Sequence, residues 1–116
     1  MSENRYIKNI DFSTILTMSE LVSYQEGQVV SRTLSQNKAV TFTLFAFDQG
    51  EEISSHASTG DALVYIIDGE SEITIGDQTF TLQSGETIVM PAGIPHSLLA
   101  KEKFKMILVV VFPPKS

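Results

Sequence analysis

Gly85-Glu86-Thr87-Ile88-Val89-Met90-Pro91-Ala92-Gly93-Ile94-Pro95-His96 is the stretch whose reading decides the fold. Ser84-Gly85 opens it as a turn. Thr87–Met90 is a short β-rich run. Pro91-Ala92-Gly93-Ile94-Pro95 then holds two prolines within five residues, too many for a ladder strand because proline donates no backbone hydrogen bond, and it reads as a rigid loop. The loop ends on His96, one of two histidines in the chain, the other being His56.

Working outward, the same texture continues. Gly76-Asp77 separates Glu72-Ile73-Thr74-Ile75 from Gln78-Thr79-Phe80-Thr81-Leu82. A glycine first in a two-residue loop suits a type II′ hairpin. Ile73, Ile75, Phe80 and Leu82 alternate with Thr74, Thr79 and Thr81, as in a half-buried antiparallel pair. Further β-rich runs are Val29–Leu34, Val40–Asp48, Leu63–Asp68, Glu70–Ile75 and Lys103–Phe112, with Asp68-Gly69 as another turn. Short strands at this spacing mark a sandwich or barrel. The chain divides into an N-terminal segment (1–27), a β-domain (28–112) and a tail (113–116). In the first of these, Asp11 and Ser13 are plausible helix caps ahead of Ile15, Leu16, Met18, Leu21 and Val22, so one short helix or turn is expected.

Composition narrows the function. The chain has 116 residues, enough for one domain that hides roughly two-thirds of its unfolded surface. It contains no cysteine, which excludes disulfides, thiolate metal sites and cysteine nucleophiles, and fits a reducing compartment. The N-terminal Met1–Tyr6 lacks the basic-then-apolar run of a secretory signal. No stretch approaches the ~18 apolar residues of a membrane helix. A cytoplasmic protein without a membrane partner is the expectation. Net charge is −6, with few and scattered basic residues, so nucleic acid is not an expected partner. Ser55 and His56 are strand neighbours pointing to opposite faces, so no nucleophile–base pair forms there. No carboxylate pair and no phosphate-cradling glycine loop is indicated. Leu63-Val64-Tyr65-Ile66-Ile67 and Ile107-Leu108-Val109-Val110-Val111 are apolar on both faces. One face meets the barrel interior; the other calls for the N-terminal segment or a second subunit, and a homodimer is expected. On the last strand Phe104, Met106, Leu108 and Val110 share the inward parity, which places Lys103 and Lys105 in solvent.

Two stretches carry a family resemblance. Gly85 to His96 resembles the second cupin motif: a glycine, then Pro-x-Gly, then a histidine. Gly50-Glu51-Glu52-Ile53-Ser54-Ser55-His56-Ala57-Ser58-Thr59-Gly60-Asp61-Ala62, continuing through Leu63–Ile67 to Asp68-Gly69, is similar to the first, which runs from a glycine through His-x-His and a glutamate to a second glycine. The match spans about residues 40–112 and resembles small single-domain cupins of the RmlC-like, cupin-2 type. It implies an all-β, double-stranded β-helix (a jelly-roll-like barrel) of six to eight strands with a pocket at its mouth. In many cupins three histidines and a glutamate there bind Fe, Mn, Ni or Zn.

Carried residue by residue, the resemblance assigns His56 and His96 to two of the four ligand positions. Ser58 stands at the second histidine position and Ala62 at the glutamate position. Ala62 has no donor atom, a neutral hydroxyl is a poor ligand for a divalent transition metal, and Asp61 faces the other way on a regular strand. Catalytic metal sites usually combine three protein ligands with an open position. The resulting expectation is a small-molecule pocket with a degenerate metal site, formed by His56, Ser58, Ala62, Val64, Met90, His96 and Met106. The two histidines would be pocket-lining groups satisfied by water or neighbours, or would bind an anionic or hydroxylated ligand. The alternative is a metal-dependent oxygenase, isomerase or decarboxylase built on His56 and His96.

Overall fold

The computed structural model describes residues 5–114, so Met1–Asn4 of the N-terminal segment and Lys115-Ser116 of the tail lie outside the described residues. Eight strands form: β1 Val29–Gln36, β2 Val40–Phe47, β3 Glu52–His56, β4 Asp61–Ile75, β5 Gln78–Gln83, β6 Thr87–Met90, β7 His96–Leu99 and β8 Phe104–Val111. All pairings are antiparallel, along the path β1-β2-β8-β4-β7-β3, with β5 and β6 also on β4. This is the all-β barrel expected from the turn pattern. Among the described residues no helix is long and apolar enough to cross a membrane.

The 15-residue β4 is the spine. Its first half pairs with β8 and β6, and its second half with β5 and β7. The expectation of two strands broken by an Asp68-Gly69 turn is corrected here. Ile66 pairs with Met106 and Asp68 with Lys105, so Ile67 is an extra, unpaired residue, a β-bulge. The bulge reverses the parity: Ala62, Val64 and Ile66 are buried before it, Ser71 and Ile73 after it. Gly69 then takes φ +75° where the strand passes from one sheet to the other. The dipeptide that signals a turn bends a continuous strand instead, because both situations require a positive φ. The Gly76-Asp77 hairpin does form, with Ile75 opposite Gln78, φ +61° at Gly76 and no positive φ at Asp77, as type II′ requires.

The barrel interior holds Phe47, Ala62, Val64, Ile66, Ile73, Leu82, Met90, Leu98, Phe104 and Met106. Phe47 and Phe104, opposed across β2 and β8, stack with ring centroids 4.4 Å apart. A second cluster, Val22, Leu34, Leu44 and Ala46, lies on the outer face of β1 and β2, covered by Ile10, Met18, Leu21 and Tyr24. This answers part of the question raised by strands apolar on both faces, since the N-terminal segment covers this half of the sheet.

That segment is mostly extended. One 3-10 turn, Met18–Glu20, forms, and its preceding Thr17 makes no side-chain cap. Asp11 and Ser13 therefore cap nothing; Ser13 has φ +56° and Ile15 is fully exposed. Side-chain and backbone bonds to β1 hold the segment in place: Lys8 N–H to Leu34 O at 2.7 Å, Asn9 Nδ2 to Thr33 O at 2.8 Å, and Ser35 Oγ to Tyr6 O at 2.9 Å. The placement of Lys105 in free solvent is also corrected. Its ammonium donates to Ser19 O at 2.6 Å and lies 4.8 Å from the Tyr24 ring centroid, with the Lys103 ammonium 5.0 Å from the same centroid. The Tyr24 hydroxyl donates to the Asp68 carboxylate, and burial first, then Asp68, raises its pKa.

Candidate functional site

His56 closes β3 and His96 opens β7, and the antiparallel register sets them directly opposite each other. Neither strand is among the β-rich runs read from the sequence, although Ser55 and His56 read there as strand neighbours. Ser54-Ser55 breaks any apolar alternation in β3, and β7 has only four residues after a proline. The pairing brings the imidazoles together edge to face, with ring centroids 4.5 Å apart.

The proline loop fixes both of their segments. Gly93, at φ +77°, donates its N–H to Ser58 O at 2.9 Å. Ala92 N–H donates to Asp61 Oδ1 at 2.8 Å, and Gly76 N–H to Pro95 O at 2.8 Å. The loop leading into His96 is thus latched onto the segment that follows His56. Asp61 is exposed and engaged with the loop, on the face away from its buried neighbour Ala62.

Behind the histidines is a cavity of about 350 Å³, within the range of small-molecule sites. His56, Ser58, Ala62, Met90, His96 and Met106 all line it. Val64 does not: its side chain is fully buried, two residues along β4 from Ala62, and belongs to the core. The remaining wall is Phe45, Ile53, Ala57, Leu98, Leu108 and Val110. Inward parity with Phe47 and Met106 could have found Phe45, Leu108 and Val110. Ile53 and Leu98 sit on β3 and β7.

Three of these twelve side chains carry polar atoms, His56, Ser58 and His96, and none carries a formal acid or a lysine or arginine charge. Each histidine uses Nδ1 on a nearby carbonyl, His56 on Ser54 O at 3.0 Å and His96 on Ile94 O at 3.3 Å. A carbonyl only accepts, so Nδ1 carries the proton, and in the neutral form of the ring Nε2 is left as an acceptor. Ser58 Oγ accepts from Gly60 N–H at 3.1 Å. His56 is exposed at the mouth, whereas His96 is 3% exposed. Burial first, and then the neighbouring His56, hold His96 below the ordinary histidine pKa; its bond to Ile94 opposes them.

The donor set does not fit a resident transition-metal ion. Two imidazoles are available, but the Ala62 methyl occupies the place of a carboxylate and Ser58 offers a hydroxyl already engaged by backbone. Among the described residues no group of three or more histidine, cysteine, aspartate or glutamate side chains could hold a metal. Two imidazoles alone are short of the three protein ligands usual in a catalytic site.

Comparison with known proteins agrees with this fold. A family model described as a cupin domain matches residues 43–112. A conserved protein of unknown function from Streptococcus pyogenes has a similar crystal structure, with 46% identity, a TM-score of 0.96, and coverage of 98% of this chain and 100% of that one. A cupin superfamily protein from Desulfitobacterium hafniense follows at 33% identity and a TM-score of 0.88, over 92% of this chain and 98% of that one. An uncharacterized protein of Streptomyces coelicolor is 30% identical over 73 residues, 63% of this chain and 70% of that protein.

Proposed function

Since this chain belongs to the cupin domain family, we propose that it binds a small molecule inside the barrel, at a site that has lost its metal. One observation carries the reading: a cavity of about 350 Å³ that opens past a histidine pair, with the Ala62 methyl where a fourth ligand would stand. The volume suits a small organic molecule, and the apolar wall supplies burial energy of about 25 cal/mol per Å² of apolar surface covered. The test is elemental analysis of gently purified protein, with mass spectrometry of the small molecules released on denaturation. Metal well below one ion per chain, with an organic molecule released, is the expected result. Near-stoichiometric Fe, Mn, Ni or Zn, lost on His56→Ala or His96→Ala, overturns it and favours the alternative, a metal-dependent oxygenase, isomerase or decarboxylase. The absence of cysteine is compatible with a cytoplasmic setting.

The functional unit in this proposal is a homodimer. Leu63, Tyr65, Val89 and Val111 are 39%, 39%, 50% and 57% exposed on the outer face of β4, β6 and β8. Leu63 pairs with Val89 on one side and Val109 on the other, which makes the patch continuous. The N-terminal segment covers the β1–β2 half of the sheet. In a chain of net charge −6 these five side chains are uncharged, and the one carboxylate at the edge of the patch, Asp61, is engaged by Ala92 N–H. Light scattering at micromolar concentration should give twice the chain mass, reduced to one by Leu63→Asp with Val89→Lys. A monomeric native chain refutes the dimer.

A further inference from the structure

Resting on that small-molecule reading, we infer that the cavity selects a neutral ligand with an apolar body and a hydroxyl head, and discriminates against carboxylates of the same shape. The argument starts from the hydrogen-bond inventory. Both cavity histidines donate Nδ1–H to backbone carbonyls, Ser54 O and Ile94 O, and keep Nε2 as an acceptor. The two rings meet edge to face, 4.5 Å between centroids, and both line the cavity. Ser58 is the third polar side chain; its oxygen accepts from Gly60 N–H, and its O–H is the one hydroxyl donor in the lining. A ligand group that reaches the neutral imidazoles meets acceptors and must bring donors to satisfy them.

Charge points the same way. The twelve lining residues include no aspartate, glutamate, lysine or arginine. A carboxylate entering the cavity would lose its hydration and find no fixed cation and a single hydroxyl donor, Ser58, where it needs several. An ammonium would find acceptors but no counter-charge. A phenol or alcohol brings the required O–H and no charge, and its apolar body faces Met90, Leu98, Met106 and Val110. Of the two ligand types compatible with a histidine pair in general, anionic and hydroxylated, these acceptors favour the hydroxylated one.

The experiment titrates three probes of one shape, 4-ethylphenol, 4-ethylanisole and 4-ethylbenzoate, at pH 7.5. It follows the methyl resonances of Ala62, Met90, Leu98 and Met106 by NMR. The phenol should bind roughly tenfold more tightly than the anisole, which is the scale of one neutral hydrogen bond left unmade, and more tightly again than the benzoate. His56→Phe, at the exposed mouth position where folding is least at risk, should reduce that preference. Equal binding of phenol and anisole, or tighter binding of the benzoate, overturns the hydroxyl selectivity while leaving the pocket reading intact. No methyl shift with any probe overturns both.

Discussion

Gly69→Ala should destabilise the barrel by about 3–5 kcal/mol, a large share of the 5–15 kcal/mol that holds a domain of this size together. Two costs combine. Gly69 sits at φ +75°, in the left-handed region that side chains with a Cβ rarely adopt. A Cβ there would also lie 2.2 Å from Lys103 O and 2.9 Å from Phe104 Cα. Those are backbone atoms at the start of β8, so neither can swing aside as a side-chain tip would. The neighbouring Phe104 stacks on Phe47 in the core, and any movement of β8 disturbs that pair. Gly85→Ala is the control. Gly85 has φ +92° but nothing within 4 Å of its Cβ position, so it carries the strain alone, about 1–2 kcal/mol. Urea denaturation should show midpoints falling in the order native, Gly85→Ala, Gly69→Ala, with unchanged slopes. Equal losses for the two variants would rule out the close approach at Gly69.

Gly69 also shows where the sequence was legible and where it was not. A glycine after aspartate announces positive φ, and that much was right. Whether the positive φ serves a chain reversal or a bend within a strand depends on what lies opposite, here Lys103 and Phe104, more than thirty residues away. The Gly76-Asp77 hairpin was readable because its partners are adjacent in the chain and its alternation is local. Parity on β8 was readable for the same reason, through Phe104 and Met106. Val64 was misplaced because parity separates inside from outside, whereas depth along the barrel separates core from cavity. The extents of β3 and β7 were missed because their order comes from distant partners, β7 for β3 and both β3 and β4 for β7, and not from their own residues, Ser54-Ser55 least of all. The same pairing brings the two histidines together, so their motifs could name them while their edge-to-face contact stayed out of reach. Asp11 and Ser13 looked like helix caps, but docking onto β1 determines the conformation of that segment.

Ser58→His combined with Ala62→Glu should turn the cavity into a tight metal site. The family resemblance places these two positions among the ligands, and both line the cavity with His56 and His96. The double variant then offers three imidazoles and a carboxylate, beyond the three protein ligands a catalytic zinc or iron site usually needs. Loss of a supporting group around a metal site alone costs about 10–100-fold in affinity, so gaining two direct ligands should tighten Zn²⁺ binding by at least about a hundredfold. Ala62→Glu by itself should destabilise the protein by on the order of 3 kcal/mol, because it buries a carboxyl group between Met90 and Val110 with no charged partner. In the double variant Zn²⁺ supplies that partner. The metal-free double variant should therefore melt below the native chain, and Zn²⁺ at about 100 times its Kd should restore about 2.7 kcal/mol. Zn²⁺ should barely move the melting of the native chain. Retention of one ion per chain through desalting by the double variant, and loss by the native chain, is the expected pair of results. A native chain that keeps its ion would show that two imidazoles suffice here. A folded double variant that binds no better than the native chain would show that positions 58 and 62 do not converge on the histidine pair.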